Sequence, residues 1–209
     1  MVTIQLLLLL LAAYLIGAIP SSVWFGRIFY KKDVRQFGSG NAGATNTFRV
    51  LGKTAGIMVL ALDIGKGALA VLLAQFLQNQ IDFSNIVYYQ MGLGLSAALG
   101  HIYPVYLRFR GGKGVATFFG VALIIFPVAA LLCVAAFAVT FAISKFVSLG
   151  SILSSLVFMI TILTTDVRAE KWPVVLFAVA VPLIIIYTHR QNIRRLINGT
   201  ESKMSLGKK

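Results

Sequence analysis

The chain has 209 residues, 58% of them hydrophobic and 12% charged, and its 19 Lys and Arg against 6 Asp and Glu give a formal net charge of +13. So apolar a composition leaves too little polar surface for a water-soluble domain and makes lipid the solvent for most of the chain. The basic excess suits anionic lipid or anionic substrates, while nucleic acid is excluded as a partner, since no soluble basic face or recognition motif accompanies it.

The opening run, Val2–Phe25, carries no charged side chain and lacks the basic leader of a signal peptide, so it reads as a retained membrane helix. A basic stretch follows (Arg27, Lys31, Lys32, Arg35, Arg49, Lys53) and contains GSGNAGATNTFR, Gly38–Arg49. This is what a phosphate requires. Glycines let backbone N–H groups turn towards an oxyanion, Ser39, Asn41, Thr45 and Asn46 add hydrogen-bonding groups, and Arg49 can grip two oxygens at once. The same residues match G-x-G-x-x-G, but a polar stretch rather than a buried strand precedes them, so a dinucleotide fold is rejected. LGKT (Leu51–Thr54) fails as a phosphate loop because Thr47 stands where its leading glycine belongs.

The second apolar run, Ala55–Leu77, holds Asp63 and Lys66. Three apart, they can share a helix face and pair; structural pairing and a role beneath a ligand both remain open. The link Gln78–Asn85 has no basic residue, and the run Ile86–Leu107 ends near His101 and Pro104, read as a buried histidine and a helix-end proline. RFRGGKG (Arg108–Gly114) then surrounds Lys113 with Gly111, Gly112 and Gly114, so that the charge can approach a ligand with little steric cover. In the next run, Val115–Ile143, Pro127 interrupts the helical hydrogen bonds and splits it, and Cys133 has a packing role.

After Val147–Thr165, the charge-balanced link Asp166–Lys171 and the run Trp172–Thr188 comes HRQNIRRLINGTE, His189–Glu201. Here His189 and Asn192 are spaced to share a helix face, and a histidine can act as base, donor or phosphate ligand. Residues 202–209 read as a loose basic tail. No His, Cys, Asp or Glu set has metal-ligand spacing, so neither metal nor cofactor is expected.

Only Lys66, Lys145, Arg168 and Lys171 lie outside the three basic regions, the third of which takes in the tail. Placing those segments in the cytoplasm puts the N-terminus outside and the C-terminus inside. An even number of crossings then separates Lys113 from the tail. Splitting the run at Pro127 gives an all-α, polytopic transmembrane bundle of seven helices, with five as the alternative, in one domain spanning 1–209. A transporter would carry its polar groups near the midplane, and a metal-dependent headgroup transferase would need grouped aspartates.

Together IGAIPSS, GSGNAGATNTFRVLGK, DIGKG, GHIYPVYLRFRGGKGVAT and HRQNIRRLINGTE resemble, along nearly the whole chain, the bacterial acyl-phosphate:glycerol-3-phosphate acyltransferases. The departures are small: Ala42 where the family often has a larger residue, and Arg110 where Lys is usual. The resemblance implies transfer of an acyl group from acyl phosphate to the 1-hydroxyl of glycerol 3-phosphate, giving lysophosphatidate, at the cytoplasmic face of the bacterial inner membrane. Family functional residues carry over onto Ser39, Asn41, Arg49, Lys113, His189 and Asn192. The candidates for substrate and phosphate contact are Gly38, Gly40, Asn41, Gly43, Asn46, Lys66 and Gly112. The implied partners are the two substrates and membrane lipid, and a monomer is compatible with this reading.

Overall fold

In the computed structural model, residues 2–166 and 171–204 are described, and among them lie ten α-helices and no strand. The chain divides into two compact units, Met1–Ile125 and Phe126–Lys209.

The first unit opens with α1 (Val2–Ala18) and α2 (Ser21–Tyr30), which meet at a 43° bend. This corrects the expectation of one helix through Phe25. Pro20 has no N–H to donate and stands at the N-cap of α2, so the ladder stops there. Next come α3 (Ala44–Leu51) and α4 (Lys53–Leu72), whose last turn tightens into a 3-10 helix at Leu73–Leu77. The helix α5 (Ile86–Ile102) stops short of the expected Leu107, since Pro104 biases the residue before it away from helix. The unit closes with α6 (Val115–Ile125).

Small residues let these helices touch backbone to backbone. A methyl group at position 17 would overlap the Ala97 carbonyl, and one at 100 the Tyr14 carbonyl, so α1 and α5 are in direct contact. Gly67 and Gly120 do the same for α4 and α6, against Thr117 and Ile64. In lipid, such close approach replaces the hydrophobic effect as the force between helices.

The two ends of this unit differ in chemistry. At one end Gln5 Nε2 donates to the Phe76 carbonyl at 3.0 Å and Gln80 Nε2 to Gln5 Oε1 at 2.6 Å, beside the link without basic residues. At the other end lie α2, the Gly38–Gly43 loop, α3 and the loop after α5, tied by Tyr14 Oη donating to the Tyr103 carbonyl at 2.8 Å.

The second unit contains α7 (Pro127–Ser144), α8 (Val147–Thr165), α9 (Trp172–Thr188) and α10 (Arg190–Ile197), with a 62° bend between the last two. The break expected at Pro127 falls there: Phe126 caps α7 and the proline opens it, where its missing N–H costs nothing. Cys133 packs as expected, its Sγ 3.2 Å from the Ser154 carbonyl, while Ser154 Oγ donates to the Cys133 carbonyl at 3.1 Å. Phe126, Phe158 and Phe177 form a buried aromatic cluster with centroids 5.7 to 6.3 Å apart.

Of the Asp166–Lys171 link, 167–170 lie outside the described residues. The tail expected to be loose is held as far as Met204, whose N–H donates to the Lys145 carbonyl at 2.9 Å, with Lys203 over the Phe146 ring; 205–209 lie outside the described residues. Among the described residues, three helical segments, Lys53–Leu77, Pro127–Ser144 and Val147–Thr165, are long and apolar enough to cross a membrane, or up to five if each bent pair is one span.

Candidate active site

The Gly38–Gly43 loop is built around Asn46, which is 1% exposed. Its Nδ2 donates to the carbonyls of Val34 (2.7 Å) and Phe37 (3.1 Å), and its Oδ1 accepts from the Ser39 N–H at 2.8 Å. Asn46 therefore shapes the loop from within. Gly38 (φ 60°) and Gly40 (φ 70°) take left-handed backbone, and a Cβ at 38 would strike Asn46 Oδ1. The Gly40 N–H donates to the Phe37 carbonyl at 3.1 Å. The Ser39 and Gly40 amides are engaged inside the loop, and the first-turn N–H groups of α3, which follows Gly43 at its N-cap, have no intrahelical acceptor and can meet an anion.

Around this loop the cations are sorted. Asp33 accepts from Arg35 Nε and the Arg35 N–H at 3.0 Å each, and from terminal nitrogens of Arg35 (2.7 Å) and Arg27 (2.8 Å). The Arg35 hydrogen bond outweighs burial and, with Arg27, holds the Asp33 carboxyl far below the usual carboxylate range. Arg27 and Arg35 are thus both engaged by Asp33. Ser39 and Arg49 are exposed and Asn41 is half-buried.

The loop around Lys113 folds back onto the end of α5. The Gly111 N–H donates to the Ile102 carbonyl at 3.1 Å and the Gly112 N–H to the His101 carbonyl at 3.0 Å, pairing two carbonyls that the helix end leaves without partners. A Cβ at Gly112 would overlap His101 Nε2 and press on the Ala42 carbonyl, so the second loop is seated against both α5 and the first loop. These glycines serve packing first, and Lys113, half-buried, follows directly on the seat.

Beneath the loops the intramembrane charges pair. Lys66 Nζ lies 2.9 Å from Asp63 Oδ1 and donates to the Ile19 carbonyl at 3.1 Å, with side chains 6% and 3% exposed. His101 Nδ1 is 3.7 Å from the same Asp63 oxygen. The Lys66 ammonium is engaged by Asp63 and by the Ile19 carbonyl. A cavity of about 10 Å³ bordered by Lys66, His101, Gly111 and Gly112 is on the scale of one water.

In the second unit, His189 lies at the bend between α9 and α10, where it is the N-cap of the helix that carries Asn192. It is 2% exposed. Its ring Nδ1 lies 2.8 Å from the Ile185 carbonyl. A carbonyl can only accept, so Nδ1 bears the proton and, in the neutral ring, Nε2 has the lone pair. Asn192, in the first turn of α10, donates Nδ2 to Glu201 Oε1 at 2.7 Å. The same oxygen accepts from Ser148 Oγ at 2.7 Å, and Glu201 Oε2 accepts from Arg195 Nε at 2.7 Å. Burial raises the Glu201 carboxyl, but the bonds from Asn192, Ser148 and Arg195 outweigh it and leave it below its ordinary value.

Glu201 and Ser148 are thus supports that sequence reasoning missed. The one available signal was a lone acid two residues past Gly199 in an otherwise basic segment. Among the described residues, no group of three His, Cys, Asp or Glu side chains is arranged to hold a metal ion.

Residues 7–199 match the family described as glycerol-3-phosphate acyltransferase. The chain is 45% identical over 202 residues to the glycerol-3-phosphate acyltransferase of Listeria monocytogenes (strain EGD-e), covering 97% of this chain and 98% of that protein. It is 44% identical over 202 residues to that of Staphylococcus aureus (strain Newman), covering 96% and 98%. Among solved structures it is similar to PlsY (YgiH), an integral membrane glycerol 3-phosphate acyltransferase, in its glycerol 3-phosphate form. The TM-score is 0.82 at 35% identity, covering 96% of both chains. The lysophosphatidic acid form of that protein gives 0.80 at 34%, again covering 96% of both. With a family match along almost its whole length and relatives this close, the chain belongs to the glycerol-3-phosphate acyltransferase family.

Proposed function

We propose that this acyltransferase takes its acyl group from acyl phosphate and delivers it to the 1-hydroxyl of glycerol 3-phosphate. The products are lysophosphatidate and inorganic phosphate, and 1–209 works as one catalytic domain in the bacterial inner membrane. The observation that carries the reading is the meeting of two glycine-rich basic loops in the first unit, where Gly112 is seated beside Ala42. Ser39, Asn41 and Arg49 on one loop and helix, and Lys113 on the other, are polar groups suited to a phosphate and a developing oxyanion.

In this mechanism Arg49 and Lys113 bind phosphate oxygens, and Gly38, Gly40 and Gly43 hold the loop in shape. Ser39, Asn41 and the opening amides of α3 orient the donor. His189 and Asn192 position glycerol phosphate. The substrate hydroxyl oxygen attacks the acyl carbonyl carbon, its proton passes to His189 Nε2, and the carbon–oxygen bond to phosphate breaks with its electron pair on the leaving phosphate. A mixed anhydride leaves readily, so positioning and charge stabilisation supply most of the rate. The Nδ1 bond to the Ile185 carbonyl supports the proton route through Nε2. A His189→Ala variant with near-normal turnover would move that proton to a substrate phosphate instead.

The same proposal sets α1 and α4 to α9 as seven crossings, with the N-terminus outside, and the Lys113 loop and C-terminus in the cytoplasm. The charge distribution supports it. The weak member is α6: its 11 residues rise roughly 16 Å against a hydrocarbon core of about 30 Å. Purified protein supplied with acyl phosphate and glycerol 3-phosphate is expected to form lysophosphatidate, and with acyl-CoA to form none. Equal turnover with acyl-CoA would overturn the donor assignment.

A further inference from the structure

We infer that Asp63, Lys66 and His101 are positioning residues: they fix the backbone of Gly111 and Gly112, and through it Lys113, against the first loop. The inference rests on the acyltransferase reading and extends it to side chains that touch no substrate.

The support runs as one connected set of contacts. The α1 ladder breaks before Pro20, and the Ile19 carbonyl at that break accepts from Lys66 Nζ at 3.1 Å. Lys66 pairs with Asp63 at 2.9 Å, and the same carboxylate oxygen faces His101 Nδ1 at 3.7 Å. The other ring nitrogen, Nε2, lies against Gly112 so closely that no side chain fits there. His101 and Ile102 also hold this loop through their carbonyls, by the Gly112 and Gly111 N–H groups.

Two further observations show that the loop is held rather than relaxed. Arg108 (φ 52°) and Phe109 (φ 61°), just before the glycines, both adopt left-handed backbone, which L side chains rarely enter. Such a conformation persists only where the surroundings determine it. A charged pair within an apolar span is also costly unless its partners are fixed. Here the pair joins three elements, the α1–α2 break, α4 and the end of α5, beneath the residue that is to meet phosphate.

The test is a steady-state comparison of wild type, Lys66→Met, Lys66→Arg, Asp63→Asn and the Asp63→Asn/Lys66→Met double variant, purified in detergent. It reads kcat and KM for glycerol 3-phosphate per folded molecule at saturating acyl phosphate. Misplacing a catalytic group by about 1 Å costs roughly 10²-fold, so Lys66→Met is expected to lower kcat by about that factor with KM little changed. Because the pair acts as a unit, the same change in the Asp63→Asn background is expected to add less than about threefold. Lys66→Arg should recover most of the rate. Unchanged kcat per folded molecule, even with a lowered melting temperature, would overturn the inference. So would a rise in KM that recurs in full in the Asp63→Asn background, the signature of a direct substrate contact. If the single variants fail to fold, the double variant, which buries no lone charge, decides the matter: wild-type kcat there sinks the proposal. A wild-type enzyme inactive with acyl phosphate would instead sink the donor reading, an outcome no variant can mimic.

Discussion

In the first unit, the loops that carry Ser39 and Lys113 are held by main chain and by one buried amide. Asn46 binds Val34, Phe37 and Ser39, and Gly111 and Gly112 bind the end of α5. In the second unit, Asn192 is held by a single carboxylate that takes three donors at once. The direct contacts of the first arrangement are neutral and depend on shape, with the Asp63–Lys66 pair inferred to support them from beneath; those of the second are charged and depend on pH. A site residue can therefore be lost in two ways, by a methyl group where none fits or by removing one negative charge.

The largest effect is expected at Gly112. A Gly112→Ala substitution must displace either the His101 ring or the loop itself, and a shifted Lys113 should lower kcat by about 10²-fold or more. Measured turnover near wild type would show that shape is not what holds this loop. In the second unit, Glu201→Gln removes the charge that Asn192 and Arg195 bind. A hydrogen bond to a charged group contributes about 1.5 kcal/mol, so kcat/KM for glycerol 3-phosphate should fall roughly tenfold. Loss of stability without that fall would detach Glu201 from the site.

The pH response separates the two arrangements further. The folded Glu201 carboxyl titrates below its ordinary value, so its stabilisation is fully present above the ordinary carboxylate range and is lost as pH falls through the depressed folded value. The melting-temperature gap between wild type and Glu201→Gln should then be widest near neutrality and close on acidification. An Asn46→Ala gap, which involves no titrating group of its own, should not follow that course. The smallest change is expected for Ser148→Ala, which removes one of three donors to Glu201 and costs about 1 kcal/mol of stability with little change in kcat. A large catalytic loss there would give Ser148 a role in the reaction itself.

Much of the fold was legible because lipid imposes a simple rule on sequence. The runs Val147–Thr165 and Trp172–Thr188 coincide end to end with α8 and α9, since neither contains a charged residue and charges lie close beyond their ends. Pro127 announced its break. Pro20 did not, because the chain stays uncharged for several residues beyond it and α2 continues the apolar pattern to Tyr30. The three polar segments were visible by composition, yet the duties within them were not. Asn46 resembles its neighbours in sequence, but its engagement with Val34 depends on how the loop closes. Glu201 meets Ser148 across 53 residues, and His101 meets Gly112 only once the loop turns back on α5; neither contact leaves a local pattern to read.

The central claim is that the segments carrying Ser39 and the α10 arginines face the same aqueous compartment. It is tested most directly by sided labelling in a background where the single cysteine, Cys133, is replaced by Ala. Single cysteines placed at the exposed positions Ser39, Asn79 and Arg194 would be treated with a membrane-impermeant maleimide in right-side-out and inverted vesicles. The expected result is labelling of positions 39 and 194 only in inverted vesicles, and of position 79 only in right-side-out ones. Labelling of 39 and 194 from opposite sides would contradict the account.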